Sequence, residues 1–135
     1  MIFYYLTMTG LAFGMLVGFI AFVRPHVIAN TLRLQADPER PGGYAEFRAS
    51  FGGIFVMIHM TAFVFSMHLQ QINPNLVVFV VAPIAMAWFG AAAGRCVSMV
   101  LDTEENGEGG INRYWVMLEV VVGLMISATF AQAFQ

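Results

Sequence analysis

The sequence has few charged residues and no lysine at all. Asp, Glu, Lys and Arg make up only 10% of its 135 residues, whereas a soluble domain carries about a quarter. Hydrophobic residues make up 59% of the chain, and the mean hydropathy is +0.75. A chain of this composition cannot cover a surface that faces water. We therefore expect the lipid bilayer to be its solvent.

The chain is equally poor in the groups that mark other functional classes. Its one cysteine, Cys96, excludes an internal disulfide and a cysteine cluster for zinc or iron–sulfur. A net charge of -2 provides no basic patch, so no nucleic-acid partner is predicted. The sequence contains no Gly-x-Ser-x-Gly, His-Glu-x-x-His or phosphate-binding glycine loop. It therefore predicts no catalytic residue, no metal and no cofactor, and favours a protein that is not an enzyme.

Four apolar segments predict transmembrane helices. They cover residues 2–23, 47–71, 76–101 and 114–134, and each is close to the roughly 20 residues that a helix needs to cross hydrocarbon. No segment alternates as the strands of a membrane barrel do. The predicted fold is a single all-α domain over residues 1–135, a four-transmembrane-helix bundle.

The arginines predict the orientation of this bundle. All of them flank the first and third loops, and none lies at the second loop or the termini; they are Arg24, Arg33, Arg40, Arg48, Arg95 and Arg113. Because cytoplasmic loops are enriched in basic residues, we expect loops 1 and 3 in the cytoplasm and both termini on the extracytoplasmic side.

The two long loops contain smaller signals. In loop 1, Val27, Ile28 and Leu32 have helical spacing and predict a short helix at the membrane interface, before Asp37-Pro38 breaks the chain. Loop 3 begins at Asp102 like a calcium-binding EF-hand loop. Its twelfth position is an arginine where a bidentate glutamate is required, so the pattern predicts no calcium site.

Small residues recur along the predicted helices. Glycines with four-residue spacing, and a pair at the head of the second helix, are Gly10, Gly14 and Gly18, then Gly90 and Gly94, and finally Gly52 and Gly53. Glycines on one stripe let two membrane helices approach closely. Two alternatives are open, namely packing inside the chain and a contact with a second copy or a larger membrane complex.

Two charged residues lie well inside the predicted spans. Arg95 is about 9 Å from the end of the third helix, and Glu119 is a similar distance from the start of the fourth, at about 1.5 Å per residue. An unpaired charge in the membrane costs at least about 2.5–3.5 kcal/mol. We therefore predict that Arg95 and Glu119 form an ion pair between neighbouring helices.

Further polar residues are predicted at the same cytoplasmic-side level. Arg24, Glu46 and Arg48 from the first two helices form a layer of five charges with Arg95 and Glu119, and Ser98 and Asp102 share the face of Arg95. The alternatives are a structural ion network, a pocket whose arginines hold a carboxylate, phosphate or anionic lipid headgroup, and a proton or ion pathway.

His59 is predicted near the middle of the second span, on one face with Gly52 and Ser66. One alternative is a hydrogen-bonded packing residue and the other is an axial ligand of a haem or a pigment. His26 and His68 fall near opposite membrane surfaces, so a second histidine at the same depth is missing.

The head of the second helix, Glu46-Phe-Arg48-Ala-Ser-Phe-Gly52-Gly53, resembles the Glu-x-Arg-Ala-x-Tyr-Gly-Gly signature of an uncharacterised bacterial family. Gly94-Arg95, Ser98, Asp102 and Glu119 are similar to later positions of that family, and Arg24-Pro25 at the end of the first helix also resembles its pattern. The sequence departs from it at Phe51, where the family has tyrosine, and in its longer acidic third loop. The resemblance implies a small four-helix protein of the bacterial inner membrane and no assigned activity.

Two functions fit these observations. The first is a non-enzymatic accessory or interaction protein of the membrane, either a homo-oligomer or a subunit of a larger complex. The alternative is a binding protein or carrier for a lipid or an amphiphilic anion, which the cytoplasmic-side arginines and glutamates would hold. The lipid bilayer is the one partner that both share.

Overall fold

The computed structural model describes residues 1–36, 39, 42–102 and 110–133. Several predictions concern positions outside the described residues. They are the break at Asp37-Pro38, Arg40 as a loop charge, the acidic stretch 103–109 that resembles the start of an EF-hand, and the end of the fourth segment at Phe134.

The described residues form helices and contain no β-strand, which confirms the predicted all-α class. The α-helices are α1 (Ile2–Val23), α2 (Pro25–Thr31), α3 (Ala45–Phe47), α4 (Phe55–Ile72), α5 (Val77–Leu101), α6 (Gly110–Ile126) and α7 (Phe130–Ala133). A π-helical segment, Arg48–Ile54, joins α3 to α4. Two 3₁₀ turns, Pro74–Leu76 and Ser127–Thr129, precede α5 and follow α6.

Three helical stretches are long and apolar enough to cross a membrane. They are Ile2–Val23 with 22 residues, and Ala45–Ile72 and Pro74–Leu101 with 28 residues each. The fourth predicted span is built differently, because α6 ends after 17 residues and a 3₁₀ turn separates it from α7. Four crossings and the sides of the termini stay predictions.

The first helix ends where the sequence requires it to end. Proline disfavours a helical conformation in the residue before it, and Arg24 has φ −126° and ψ 69°. Pro25 then occupies the first turn of α2, where its missing N–H costs nothing. The short helix predicted in loop 1 is therefore present, with Pro25 and Ala29 on its buried side and Val27 exposed.

The turn between α4 and α5 is a side-chain-capped turn. The Oδ1 atom of Asn73 accepts a hydrogen bond from the backbone N–H of Asn75 at 3.1 Å. Pro74 fixes the first position of the 3₁₀ turn that follows. This is the tight connection that the Asn-Pro-Asn sequence favours.

The chain divides into two compact units. In the unit Leu11–Val64, glycines allow very close backbone approach. A Cβ atom at Gly18 would lie 2.7 Å from the backbone nitrogen of Val56, and one at Gly52 would lie 2.7 Å from the Cα of Phe22. No other residue fits at either position without displacing backbone.

The second unit combines Met1–Gly10 with Phe65–Gln135. Its buried apolar side chains come mainly from α5 and α6, and they include Val77, Val81, Ile84, Trp88, Val122 and Ile126. A Cβ atom at Gly123 would lie 2.7 Å from the ring of Phe89, so α6 also uses a glycine to approach α5.

A buried threonine of α1 contacts the end of α6 in this second unit. The Thr7 hydroxyl lies 3.0 Å from the carbonyl oxygen of Ile126 and 3.2 Å from that of Met125, and donates to them. The same oxygen accepts from the backbone N–H of Thr129 at 3.3 Å. Thr7 therefore forms hydrogen bonds with backbone groups where α6 ends and a 3₁₀ turn begins.

Candidate functional site

A buried ion pair joins α5 to α6. The Nε atom of Arg95 donates to the Oε1 atom of Glu119 at 2.7 Å. Glu119 is 5% exposed, whereas the Arg95 side chain is 26% exposed. The predicted pairing of these two residues is confirmed. The basis of that prediction was the high cost of an isolated charge inside a membrane span.

The ring of Trp115 lies close to the guanidinium of Arg95. It lies four residues before Glu119, so both side chains lie on the same side of α6. The Cζ atom of Arg95 is 5.6 Å from the centre of the Trp115 ring, within the range of a cation–π interaction. Sequence reasoning missed this tryptophan. The signal available was an aromatic residue one turn before the acid of the predicted fourth span.

The pair leaves hydrogen-bonding capacity unused on both sides. A guanidinium has five N–H donors, and the structure assigns only the Nε–H of Arg95 to a partner among the described residues. The Oε2 atom of Glu119 is buried and has no hydrogen-bond partner there. The site therefore contains several charged donors and one buried charged acceptor that have no hydrogen-bond partner among the described residues.

Ser98 and Asp102 continue along α5 from Arg95. Ser98 is half-buried. Asp102 is exposed and ends the helix, with its backbone N–H donating to the carbonyl of Ser98 at 2.9 Å. Within the described residues, the carboxylate of Asp102 does not join the Arg95–Glu119 pair.

The remaining predicted charges belong to the unit Leu11–Val64. The Nη1 atom of Arg48 donates to the carbonyl oxygen of Phe22 at 2.5 Å and to that of Val23 at 3.3 Å. These carbonyls end α1 and have no partner in the helix, so Arg48 acts as a cap and complements the helix dipole.

Arg24 and Glu46 are both exposed. Neither side chain forms a hydrogen bond or an ion pair with another described residue. The prediction that all five charges share one layer combines residues of two compact units, and it stays a prediction.

An unpredicted π-helical segment begins at Arg48. Phe47 stacks on Phe51 and Phe51 on Phe55, at centroid distances of 5.1 and 5.7 Å. The His59 ring lies 4.4 Å from that of Phe55 in a tilted arrangement. π-Helices are rare. The aromatic spacing was visible in the sequence, but it does not distinguish a π-helix from an α-helix.

His59 lies in α4, four residues after Phe55, and is 2% exposed. Its Nδ1 atom lies 2.7 Å from the carbonyl oxygen of Phe55, and its ring lies against Gly14, where a Cβ atom would overlap the imidazole. This is the environment of a hydrogen-bonded packing residue. The alternative role as a haem or pigment ligand stays untested, and it would require the contact with Gly14 to open.

The glycines fall into two groups. A Cβ atom would meet a neighbour at less than 3 Å at Gly10, Gly14, Gly18 and Gly52, and at an ordinary 3.6 Å at Gly53. At Gly90 and Gly94 it would meet no atom of the described residues within 4 Å. The alternative of packing inside the chain thus has no contact to support it at these last two positions.

Among the described residues, no three His, Cys, Asp or Glu side chains group in a way that could hold a metal ion. No family model, curated protein or solved structure matches this chain. The resemblance to an uncharacterised four-helix family therefore stays a prediction.

Proposed function

We propose that this protein is an integral membrane protein of the bacterial inner membrane that acts by binding another membrane helix rather than by catalysis. The observation that supports this most directly is the open face of α5 at Gly90 and Gly94. Both glycines lie in a helix that is long and apolar enough to cross a membrane.

The shape of this face fits a second helix. Gly90, Gly94, Val97 and Leu101 share one side of α5 at three- and four-residue spacing, and all four are exposed. The two glycines form a shallow groove, and the larger side chains of Val97 and Leu101 border it at one end. A groove of this kind lets two backbones approach, which favours association where lipid removes the hydrophobic driving force.

The proposal includes four crossings, with loops 1 and 3 in the cytoplasm. From Gly110 to Ala133 the helical segments contain 17, 3 and 4 residues. Rises of 1.5 and 2.0 Å per residue give a length of about 37 Å, enough for a hydrocarbon core of about 30 Å. The arginines at the first and third loops support the orientation.

Cysteine cross-linking in native membranes tests the interaction. In a Cys96→Ser background, a single cysteine at Val97 should give an oxidised dimer or a cross-link to a partner, because this position borders the groove. A single cysteine at Phe19, an exposed residue of α1, is the matched control and should give none. Equal cross-linking at both positions would contradict the proposal.

Bulky substitutions provide a second test. Gly90→Leu and Gly94→Leu should abolish the Val97→Cys cross-link by filling the groove. They should leave the fold intact, since no described atom lies within 4 Å of a Cβ there. Cross-linking that persists in both variants would show that this face of α5 does not bind the second helix.

A second candidate function is the binding of an amphiphile by its headgroup at Arg95. It is favoured by the four terminal N–H groups of this arginine, which donate no hydrogen bond to a described residue. Native mass spectrometry of the detergent-extracted protein should find retained phospholipid. The Arg95→Gln/Glu119→Gln variant should lose it, while Arg113→Gln, which removes an exposed arginine of the same unit, should keep it.

A further inference from the structure

We propose that the headgroup held at Arg95 bears both a phosphate and a primary ammonium group. The phosphate binds the terminal amino groups of Arg95, and the ammonium donates to the Oε2 atom of Glu119. This inference rests on the second proposed function and specifies its ligand as a phospholipid of the ethanolamine class.

The first step concerns the anion. Glu119 engages the Nε edge of the guanidinium at 2.7 Å, and the Trp115 ring lies beside its Cζ atom at 5.6 Å. Both contacts restrict the orientation of Arg95 and leave its two terminal nitrogens for another acceptor. Arginine presents such nitrogens as a planar fork that matches phosphate oxygens. Glu119 and Trp115 are therefore positioning residues for the phosphate contact.

The second step concerns charge balance. Arg95 and Glu119 already neutralise each other, so a lone phosphate would leave a net negative charge in a region of low dielectric constant. Uncompensated charge is costly there. A headgroup that carries its own cation restores neutrality. This favours a zwitterionic ligand over a purely anionic one.

The third step concerns the orphan acceptor. The Oε2 atom of Glu119 is buried with no hydrogen-bond donor among the described residues, and a buried carboxylate oxygen of this kind needs a donor. Because Oε2 is covered, a donor reaches it only when neighbouring side chains move. A small ammonium with N–H groups needs less displacement than a trimethylammonium group, which is larger and has no N–H. The headgroup approaches the pair from the side of Arg95, because Arg95 is the more exposed of the two residues.

The depth of the site indicates a lipid rather than a soluble molecule with the same groups. Arg95 lies six residues before the end of α5 at Leu101, which corresponds to about 9 Å along the helix axis. A phosphate at that level comes most easily from a lipid whose acyl chains lie beside α5. Free phosphoethanolamine shares the polar chemistry and serves as the competitor that separates the two sources.

The test uses the full-length protein in detergent with phosphatidylethanolamine, phosphatidylcholine and phosphatidylglycerol of identical acyl chains. Native mass spectrometry should show phosphatidylethanolamine retained over phosphatidylcholine by about tenfold, the effect of one charge-assisted hydrogen bond. Glu119→Gln should reduce this ratio to about one while some phospholipid is still retained. Arg95→Gln/Glu119→Gln should remove retention of all three lipids, and Arg113→Gln should behave as the wild type.

Other outcomes separate the inference from the function on which it rests. Equal retention of phosphatidylethanolamine and phosphatidylcholine would overturn the ammonium contact and leave headgroup binding standing. Preferential retention of phosphatidylglycerol would overturn the zwitterionic assignment in favour of an anionic ligand. Displacement by free phosphoethanolamine at equal concentration would overturn the lipid source. Retention of no phospholipid by the folded wild-type protein would contradict both proposals.

Discussion

Glycines allow close contacts in both compact units, but among the described residues buried polar contacts between helices occur in only one of them. In Leu11–Val64, the contacts depend on missing side chains: Gly14 accommodates the His59 ring, and Gly18 accommodates the backbone at Val56. In the other unit, the described contacts include polar groups away from water, namely the Arg95–Glu119 pair and the Thr7 hydroxyl. Close approach and interhelical polar bonds are the two general ways in which membrane helices associate.

The two kinds of helix contact therefore respond differently to substitution. A close approach tolerates no added atom, because the space is already filled. A polar contact tolerates added or removed volume better than the loss of one partner, because the remaining group is left buried and unpaired. The following substitutions test this difference, from the largest expected effect to the smallest.

Arg95→Ala should have the largest effect, lowering the free energy of unfolding by about 3–5 kcal/mol, since it leaves the Glu119 carboxylate buried without its cation. Denaturant titration in detergent measures this loss. The double variant Arg95→Leu/Glu119→Leu should be much closer to the wild type. Additive losses for the two sites would mean that the side chains do not meet.

Gly14→Ala should destabilise the protein by about 1–3 kcal/mol through overpacking against the imidazole of His59. The same titration measures it. Adding His59→Ala should recover part of the loss, so a double-mutant cycle should give a coupling energy of at least about 0.5 kcal/mol. A cycle without coupling would mean that the His59 ring does not occupy the space beside Gly14.

Thr7→Val should cost about 1–2 kcal/mol, because it removes a hydroxyl that serves backbone groups at the end of α6 while keeping its shape. Thr9→Val is the matched control, since the exposed Thr9 hydroxyl bonds only to Tyr5 in its own helix. Amide hydrogen exchange at Thr129 should become faster in Thr7→Val alone. Equal exchange in the two variants would argue against the polar contact.

Gly90→Ala should have the smallest effect and the opposite sign. With open space around the new methyl group, the higher helix propensity of alanine should raise stability by about 0.5–1 kcal/mol. The contrast with Gly14→Ala is direct, because both changes add one carbon to a helical glycine. Destabilisation of the isolated chain by Gly90→Ala would show that α5 packs there.

Helix positions were largely readable from the sequence. The structure has α1 at Ile2–Val23, which are the predicted bounds, because an uninterrupted apolar run meets Arg24-Pro25 at its end. The second helical stretch begins at Ala45 rather than Phe47. Its π-helical part could not be predicted, because the residue pattern does not distinguish a π-helix from an α-helix.

The candidate site was predictable only in part. Arg95 and Glu119 could be paired in advance because their depth and opposite charge leave few alternatives. Trp115 could not be added, since its place depends on how α6 is rotated against α5. The roles of Thr7 and Arg48 were also missed, because both bind backbone carbonyls, which the sequence does not distinguish from one residue to the next.

The sequence alone determined that the chain is helical, that it is apolar enough for a membrane, and that its two inner charges need partners. These follow from composition and from the solvation cost of each residue, which are local properties. Only the tertiary structure decided which glycines are covered and which are open, and which atoms of the ion pair remain without partners. Those depend on the rotation and separation of neighbouring helices, and four-residue glycine spacing is compatible with either outcome.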